Sequence, residues 1–286
     1  MDIQALNETA RKVRVSIIDA VYHAKVGHLG GPLSMTDFVT ALYFNTLNIR
    51  PDEPCWPGRD RIVLSKGHSA IGLYAAMAHR GYFPLEELRT FDAINSRLQG
   101  HPEMTRLPGV DFSTGSLGQG ISAAFGMALG ARLQDLSFHT WAIVGDGECQ
   151  EGQVWECAMA AARYELPNFT VIVDHNKLQQ FGWLKGVADG KRLVHPPEFE
   201  GELVAKWTAF GWRVLEMDGH DMESILRAFD AALNPGGDQR PTVIIAHTVK
   251  GKGVSYMEND YRWHSLPITD ELFEIAMRDL GEEVAP

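Results

Sequence analysis

Cysteine is scarce in this chain, and basic charge is in deficit. Three cysteines in 286 residues, Cys55, Cys149 and Cys157, form no CxxC pair and no His/Cys cluster at ligand spacing, which excludes a disulfide scaffold and a thiolate metal site. The odd, sparse set fits a reducing compartment, and none of the three stands in a nucleophile motif. Lys and Arg number 26 against 37 Asp and Glu, a net charge of −11. No basic stripe offsets it, so nonspecific nucleic-acid binding is excluded. No apolar run reaches the roughly 18 residues a membrane span requires. The opening stretch MDIQALNETARKVRVSIIDAVYHA carries charge where a signal peptide would be apolar. Also missing are an internal repeat, a low-complexity tract and the GxxxxGK[ST] phosphate loop. The expectation is a cytoplasmic protein that meets neither membrane nor nucleic acid.

What is there is an alternation. Short apolar runs at 61–64, 141–144, 170–173, 212–217 and 242–246 read as buried strands. Between them lie helical patterns. Residues 3–24 place Leu6, Ala10, Val13, Ile17, Ile18 and Val21 at a 3.6-residue period, ending near Gly27. Ser34 is expected to cap a helix over 35–47. Further helices are expected at 70–80, 85–91, 121–133, between the second and third strands, at 199–210 before Gly211, at 222–233 and in a short terminal segment, with 182–197 as a connecting stretch. Strands alternating with helices predict an α/β fold: a doubly wound, mostly parallel sheet with helices on both faces, as one domain over 1–286.

The chain is organised around residues 141–181. One apolar run stops at Gly145-Asp146-Gly147 and the next at Asp174-His175-Asn176. Ligands of such sheets sit outside the carboxyl ends of the strands, so Asp146 and Asn176 can meet across the intervening helix. A carboxylate and an amide oxygen are hard donors suited to Mg²⁺, with Ca²⁺ or Mn²⁺ also permitted. Two side chains leave an octahedral shell incomplete, and phosphate oxygens commonly finish it. Read separately, each triplet is ordinary turn chemistry; read together they describe a metal bridge to a diphosphate.

Three Gly-His pairs between residues 27 and 101 bring His28, His68 and His101 into loops, and a site needing neutral donors and proton carriers would use them. The glycine-rich stretch from Gly115 to Gly120 allows close backbone approach to a ligand or a neighbouring helix. Its match to GxGxxA at 118–123 is weak, because no convincing strand precedes it. Asp218-Gly219-His220-Asp221 reads as another strand-end loop, in which His220 or Asp221 caps the next helix.

GDG followed one helix and one strand later by Asn resembles the thiamine diphosphate signature, and GDGECQEGQVWE with DHNKLQQFG is similar to transketolase. GHLGGPLS, SKGHS, GHPE, TGSLGQG, HTVKGKGVS and WHSLP extend the likeness, in order, over nearly the whole chain. The resemblance implies the thiamine diphosphate-binding fold, with Asp146, Asn176 and the Leu178 carbonyl as metal ligands. It implies that Gly147 and the backbone of Gly115, Ser116 and Leu117 touch the cofactor, with Lys66, His68, Gln180, Lys250 and His264 around it. His28, His68, His101 and His264 would form the catalytic set, His28 and His101 facing substrate hydroxyls. Glu151 and Glu156 match acidic residues beside the cofactor at the family's subunit interface; from the residues alone they are a solvated helix face.

The implied reaction moves a two-carbon ketol unit from a ketose to an aldose, as free sugars or sugar phosphates, with the cofactor as electron sink. The family ordinarily continues into a pyrimidine-binding domain, whose glutamate activates the cofactor, and a C-terminal domain. Neither is found within 1–286. The expectation is therefore the N-terminal subunit of a split transketolase, needing a separate C-terminal subunit in a two-plus-two heterotetramer. The alternatives are the α subunit of a 2-oxo acid dehydrogenase, which shares GDG and the metal Asn, and a non-catalytic cofactor-binding module.

Overall fold

Four of the five apolar runs become strands that are largely buried on both faces, while the fifth, at 213–218, is a half-exposed edge strand. The computed structural model describes residues 1–180 and 202–283. Its strands are β1 (Arg61–Leu64), β2 (Thr140–Gly145), β3 (Phe169–His175), β4 (Arg213–Asp218) and β5 (Thr242–His247), all parallel in the order β1-β2-β3-β5-β4. Central β3 is buried along its whole length. The pleat sends alternate residues to opposite faces: Trp141, Ile143, Ile172 and Ile244 join one core, while Ala142, Val144, Val171, Val173 and Val243 join the other.

Helices cover both cores. On the first face lie α1 (Ile3–Ala24), α2 (Gly30–Ala41), α3 (Ala70–Arg80), α7 (Met222–Leu233) and α8 (Asp270–Asp279); on the second lie α4 (Gln119–Leu133), α5 (Gly152–Tyr164) and α6 (Glu202–Ala209). The doubly wound sheet is thus present as expected. From β3 the chain skips a place to β4, then returns to insert β5 between them.

Local boundaries depart from the sequence reading in physically informative ways. Ser34 does not cap a helix. Pro32 is tolerated in a first helical turn, where its missing N–H goes unused, so α2 begins at Gly30 and Ser34 lies inside it, with its Oγ 2.9 Å from the Gly31 carbonyl oxygen. Helix α2 passes into a π-turn at Leu42–Thr46. The helix expected at 85–91 is a 3-10 segment, Leu85–Thr90. Strand β3 runs further than its apolar core because Asp174 pairs in register with Gly145 on one side and Ala246 on the other. The expected connection at 182–197 and the start of the helix expected at 199–210 lie outside the described residues.

Helix α4 explains its glycines unequally. Gly120 abuts the residue after β1, where an added Cβ would stand 2.7 Å from Ser65 Cα; at Gly126 the same atom would meet nothing within 4 Å. Gly120→Ala should therefore cost about 1–3 kcal/mol by overpacking, whereas Gly126→Ala should gain up to about 1 kcal/mol of helix propensity. Urea unfolding of the two variants measures both. Equal effects would mean that α4 does not pack on the β1 loop as described.

Candidate functional site

The carboxyl ends of β1, β2, β3 and β5 converge on one cavity of about 480 Å³. This is where an open parallel sheet offers loops rather than side-chain cover. The chain leaving β1 goes to α3 on one face and that leaving β2 to α5 on the other, so a crevice opens between them.

The floor is built on a charge. Asp174 is fully buried at the end of β3 and accepts hydrogen bonds from Lys66 Nζ, Thr248 Oγ1, Ser34 Oγ (2.5 Å) and Asn176 Nδ2 (3.3 Å). Burial alone would raise its pKa, but the Lys66 ammonium and these donors hold it below the usual carboxylate range. Asp146 follows β2 and accepts from Gly147 N at 2.8 Å and Lys177 N at 2.6 Å, which brings the β2 and β3 loops together as expected. Burial, then the neighbouring Asp174 charge, pushes Asp146 up to about 6. Asn176 Oδ1 accepts from Leu178 N at 3.1 Å, and the Leu178 carbonyl accepts from Lys250 Nζ at 3.0 Å.

This donor set fits a hard divalent cation. One carboxylate, one amide oxygen and one carbonyl suit Mg²⁺ that completes its shell with phosphate and water. Among the described residues there is no group of three His, Cys, Asp or Glu that could hold a metal. The surroundings fit an anionic ligand too. Burial pushes the Lys250 ammonium down to about 8, and nearby negative charge would stabilise its charged form. Glycines keep the cradle open: an added Cβ would stand 3.3 Å from His101 Cδ2 at Gly115 and 3.3 Å from Gln179 Cγ at Gly147.

Histidines form the upper tier. The His28, His68 and His264 rings lie 5.1 Å apart centroid to centroid in all three pairings, and His101 lies 6.5 Å from His28. Burial, reinforced by Lys66, drives His68 down to about 2; burial and Lys250 drive His264 to about 3. His28 is lowered by burial and then by His101. These three rings are neutral at pH 7. His264 Nδ1 accepts from Lys250 Nζ at 2.9 Å, so its own proton sits on Nε2.

Most of the expected site residues meet here. His28, Lys66, His68, Gly115, Leu117, Asp146, Gly147, Glu151, Asn176, Leu178, Gln180, Lys250 and His264 line the cavity. His101 and Ser116 line a wider outer cavity of about 940 Å³ that shares His28 and Gly115 with the inner one. Glu156 lines neither; it is exposed on α5.

Sequence reasoning missed Glu148. Its carboxylate, 2% exposed, accepts from Ser65 Oγ (2.6 Å), Gly118 N (2.8 Å) and Gly145 N (3.1 Å), while Ser65 Oγ accepts from Ile121 N (3.0 Å). One side chain thereby ties the β1 loop, the start of α4 and the end of β2. In the sequence it is one of several acids in a polar run, and only the turn at Gly147–Gln150 aims it inward. Ser34 reads as a helix cap and Asp174 as one member of a strand-end triplet, and Thr248 carries no local signal, because their mutual contacts join segments distant in sequence. Glu148→Ala leaves buried donors unmet and should cost on the order of 3 kcal/mol; Glu148→Gln keeps one acceptor oxygen and should cost about half that. Equal losses in denaturant unfolding would remove the three-way tie.

With this geometry in place, comparison with known proteins is specific. Residues 5–285 match the family described as transketolase, thiamine diphosphate binding domain. The 6-deoxy-6-sulfo-D-fructose transketolase subunit SqwG of Clostridium sp. (strain MSTE9) is 40% identical over 280 residues, covering 98% of this chain and 98% of that protein. An apulose-4-phosphate transketolase subunit of Phocaeicola vulgatus is 39% identical over 284 residues, 99% of this chain and 96% of its own. The solved transketolase of Campylobacter jejuni superposes with a TM-score of 0.86 at 32% identity, covering 99% of this chain and 44% of that one. The chain thus spans less than half of that solved enzyme.

Proposed function

The chain belongs to the transketolase family through its thiamine diphosphate-binding domain, and from that premise we propose that it is the N-terminal subunit of a split transketolase. It moves a two-carbon ketol unit from a ketose to an aldose together with a separate C-terminal subunit. The observation that carries this is the two-tier cavity: neutral histidines above a floor of hard oxygen donors and buried lysines. Support comes also from relatives that this chain covers almost end to end and that are named as transketolase subunits. Neither alternative, a 2-oxo acid dehydrogenase α subunit or a non-catalytic module, gains from the family match.

When bound, thiamine diphosphate supplies the carbon nucleophile and the electron sink. The protein does the rest. Asp146, Asn176 and the Leu178 carbonyl would hold Mg²⁺; Lys66 and Lys250 would balance the diphosphate's charge; Gly115, Leu117 and Gly147 would leave room for it beside the backbone. His264 presents its Nε2 proton as a donor, held in that tautomer by Lys250. His28 and His101, at the passage to the outer cavity, bind substrate hydroxyls and carry protons. The half-buried His68 ring lines the inner cavity with His28 and His264.

The substrate we infer is a ketose with an anionic terminus, the class to which the sulfonated and phosphorylated sugars in the two relatives' names belong. The partner supplies the cofactor-activating glutamate in a two-plus-two assembly, with residues 1–286 forming a single domain. A cytoplasmic location agrees with three cysteines outside any disulfide and with the absence, among the described residues, of a helix able to cross a membrane.

A coupled assay with a ketose phosphate donor and an aldose phosphate acceptor, in thiamine diphosphate and Mg²⁺, should show turnover only when the chain is mixed with its C-terminal subunit. Full turnover by the chain alone, or turnover of pyruvate in place of ketoses, would sink the proposal. In calorimetric titration Asp146→Ala should weaken Mg²⁺-dependent cofactor binding about a hundredfold, near 3 kcal/mol; unchanged affinity would remove Asp146 from the metal site. His101→Ala should lower kcat/KM about a hundredfold with cofactor affinity nearly intact. A matching loss of affinity would move His101 from substrate to cofactor.

A further inference from the structure

His220 sits in the one strand-end motif that the proposed chemistry leaves unused. It does not cap α7, because Asp221 does, accepting from Ser224 N at 3.1 Å. Instead its Nε2 accepts from Val249 N at 2.8 Å. A backbone N–H can only donate, so the ring proton is on Nδ1, which donates to Asp37 Oδ2 at 2.8 Å. Asp37 is in turn held by both terminal nitrogens of Arg14, at 2.8 and 2.5 Å. Arg14 Nε also donates to the Lys252 carbonyl at 3.2 Å.

This Arg14–Asp37–His220 cluster therefore grips both ends of one short turn, Val249 N at its start and Lys252 O at its end. Lys250 lies between. The turn is pinned from a third side: Gly251 N donates to Gly30 O at 3.1 Å, and an added Cβ at Gly30 would stand 2.7 Å from Lys250 Cγ. So held, Lys250 reaches both the Leu178 carbonyl and His264 Nδ1. Arg14 and Asp37 are nearly buried, 8% and 6% exposed. A buried ionic cluster contributes little net stability but can fix a geometry that apolar packing leaves loose.

We propose that His220 is a positioning residue for the cofactor site: through the Val249 amide it sets the turn that aims Lys250 at the Leu178 carbonyl and at His264. The consequence for the cofactor rests on the thiamine diphosphate reading above; the mechanical link does not.

Two substitutions separate the ring's two roles. His220→Gln keeps an acceptor near the Nε2 position, while His220→Asn keeps only a donor near Nδ1. Hydrogen exchange on the full chain should show the Val249 amide exchanging at least about tenfold faster in His220→Asn and close to wild type in His220→Gln. Thiamine diphosphate affinity in Mg²⁺, titrated on the same proteins, should fall about tenfold in His220→Asn and recover in His220→Gln, with melting temperatures of both variants near wild type. Val249 exchange equal in the two variants would overturn the link. Affinity loss that follows melting temperature, rather than Val249 exchange, would make His220 merely structural. A wild-type chain that binds no thiamine diphosphate, with or without its C-terminal partner, would instead overturn the reading of the site and leave the exchange result to decide the link by itself.

Discussion

A carboxylate at the end of a fully buried central strand must be compensated or protonated. Asp174 is in that position, and its ionised state constrains everything around it. Its partners come from α2 (Ser34), the loop after β1 (Lys66), the loop after β5 (Thr248) and its own strand end (Asn176). A lone buried carboxylate costs several kcal/mol, so these segments cannot separate without exposing that cost. The same segments carry Lys66, Asn176, Leu178 and Lys250, and the loop after β2 joins them where Asp146 accepts from Lys177 N. The site is assembled by the requirement to satisfy one charge.

Above that floor the electrostatics change character. Burial first, and then the positive charge of Lys66 and Lys250, keeps the His68 and His264 rings neutral. A neutral imidazole can donate at one nitrogen and accept at the other, which a cationic ring cannot. The lysines thus have two functions: they complement an anionic ligand below and hold the histidines in their bifunctional form above. Substrate hydroxyls need both donors and acceptors, and this tier offers both.

What is legible in the sequence is the set of strand-end loops. Gly145-Asp146-Gly147, the Asn176 loop and the Gly-His pairs stand out because turn residues interrupt apolar runs, and that pattern is local. The five strands, helices on both faces, and the candidate residues Asp146, Asn176, His28, His68 and His101 can be named from it; Lys66, Leu178, Gln180, Lys250 and His264 come only with the resemblance to transketolase. Less legible are the residues whose role depends on what faces them. Ser34 reads as a helix cap because only the folded chain brings Asp174 beneath it. Glu148 and Glu156 are indistinguishable as acids in one polar run, yet a single 3-10 turn buries the first, while α5 exposes the second. His220 reads as a cap because its partners, Asp37 and Val249, are distant in sequence. Long-range polar pairing leaves no periodicity to read.

The sheet order has a consequence for how the chain is made. Among the described residues, strand β4 pairs only with β5, which lies after it in sequence and between it and β3 in space. On a ribosome β4 therefore emerges with both edges unpaired and must wait until residues 242–247 follow. The same late segment delivers Thr248 to Asp174 and Lys250 to the Leu178 carbonyl and His264. Domains tend to fold as units during synthesis; here the unit closes only after residues 242–250 have been made, and that one segment completes both the sheet and the charge balance beneath the cavity.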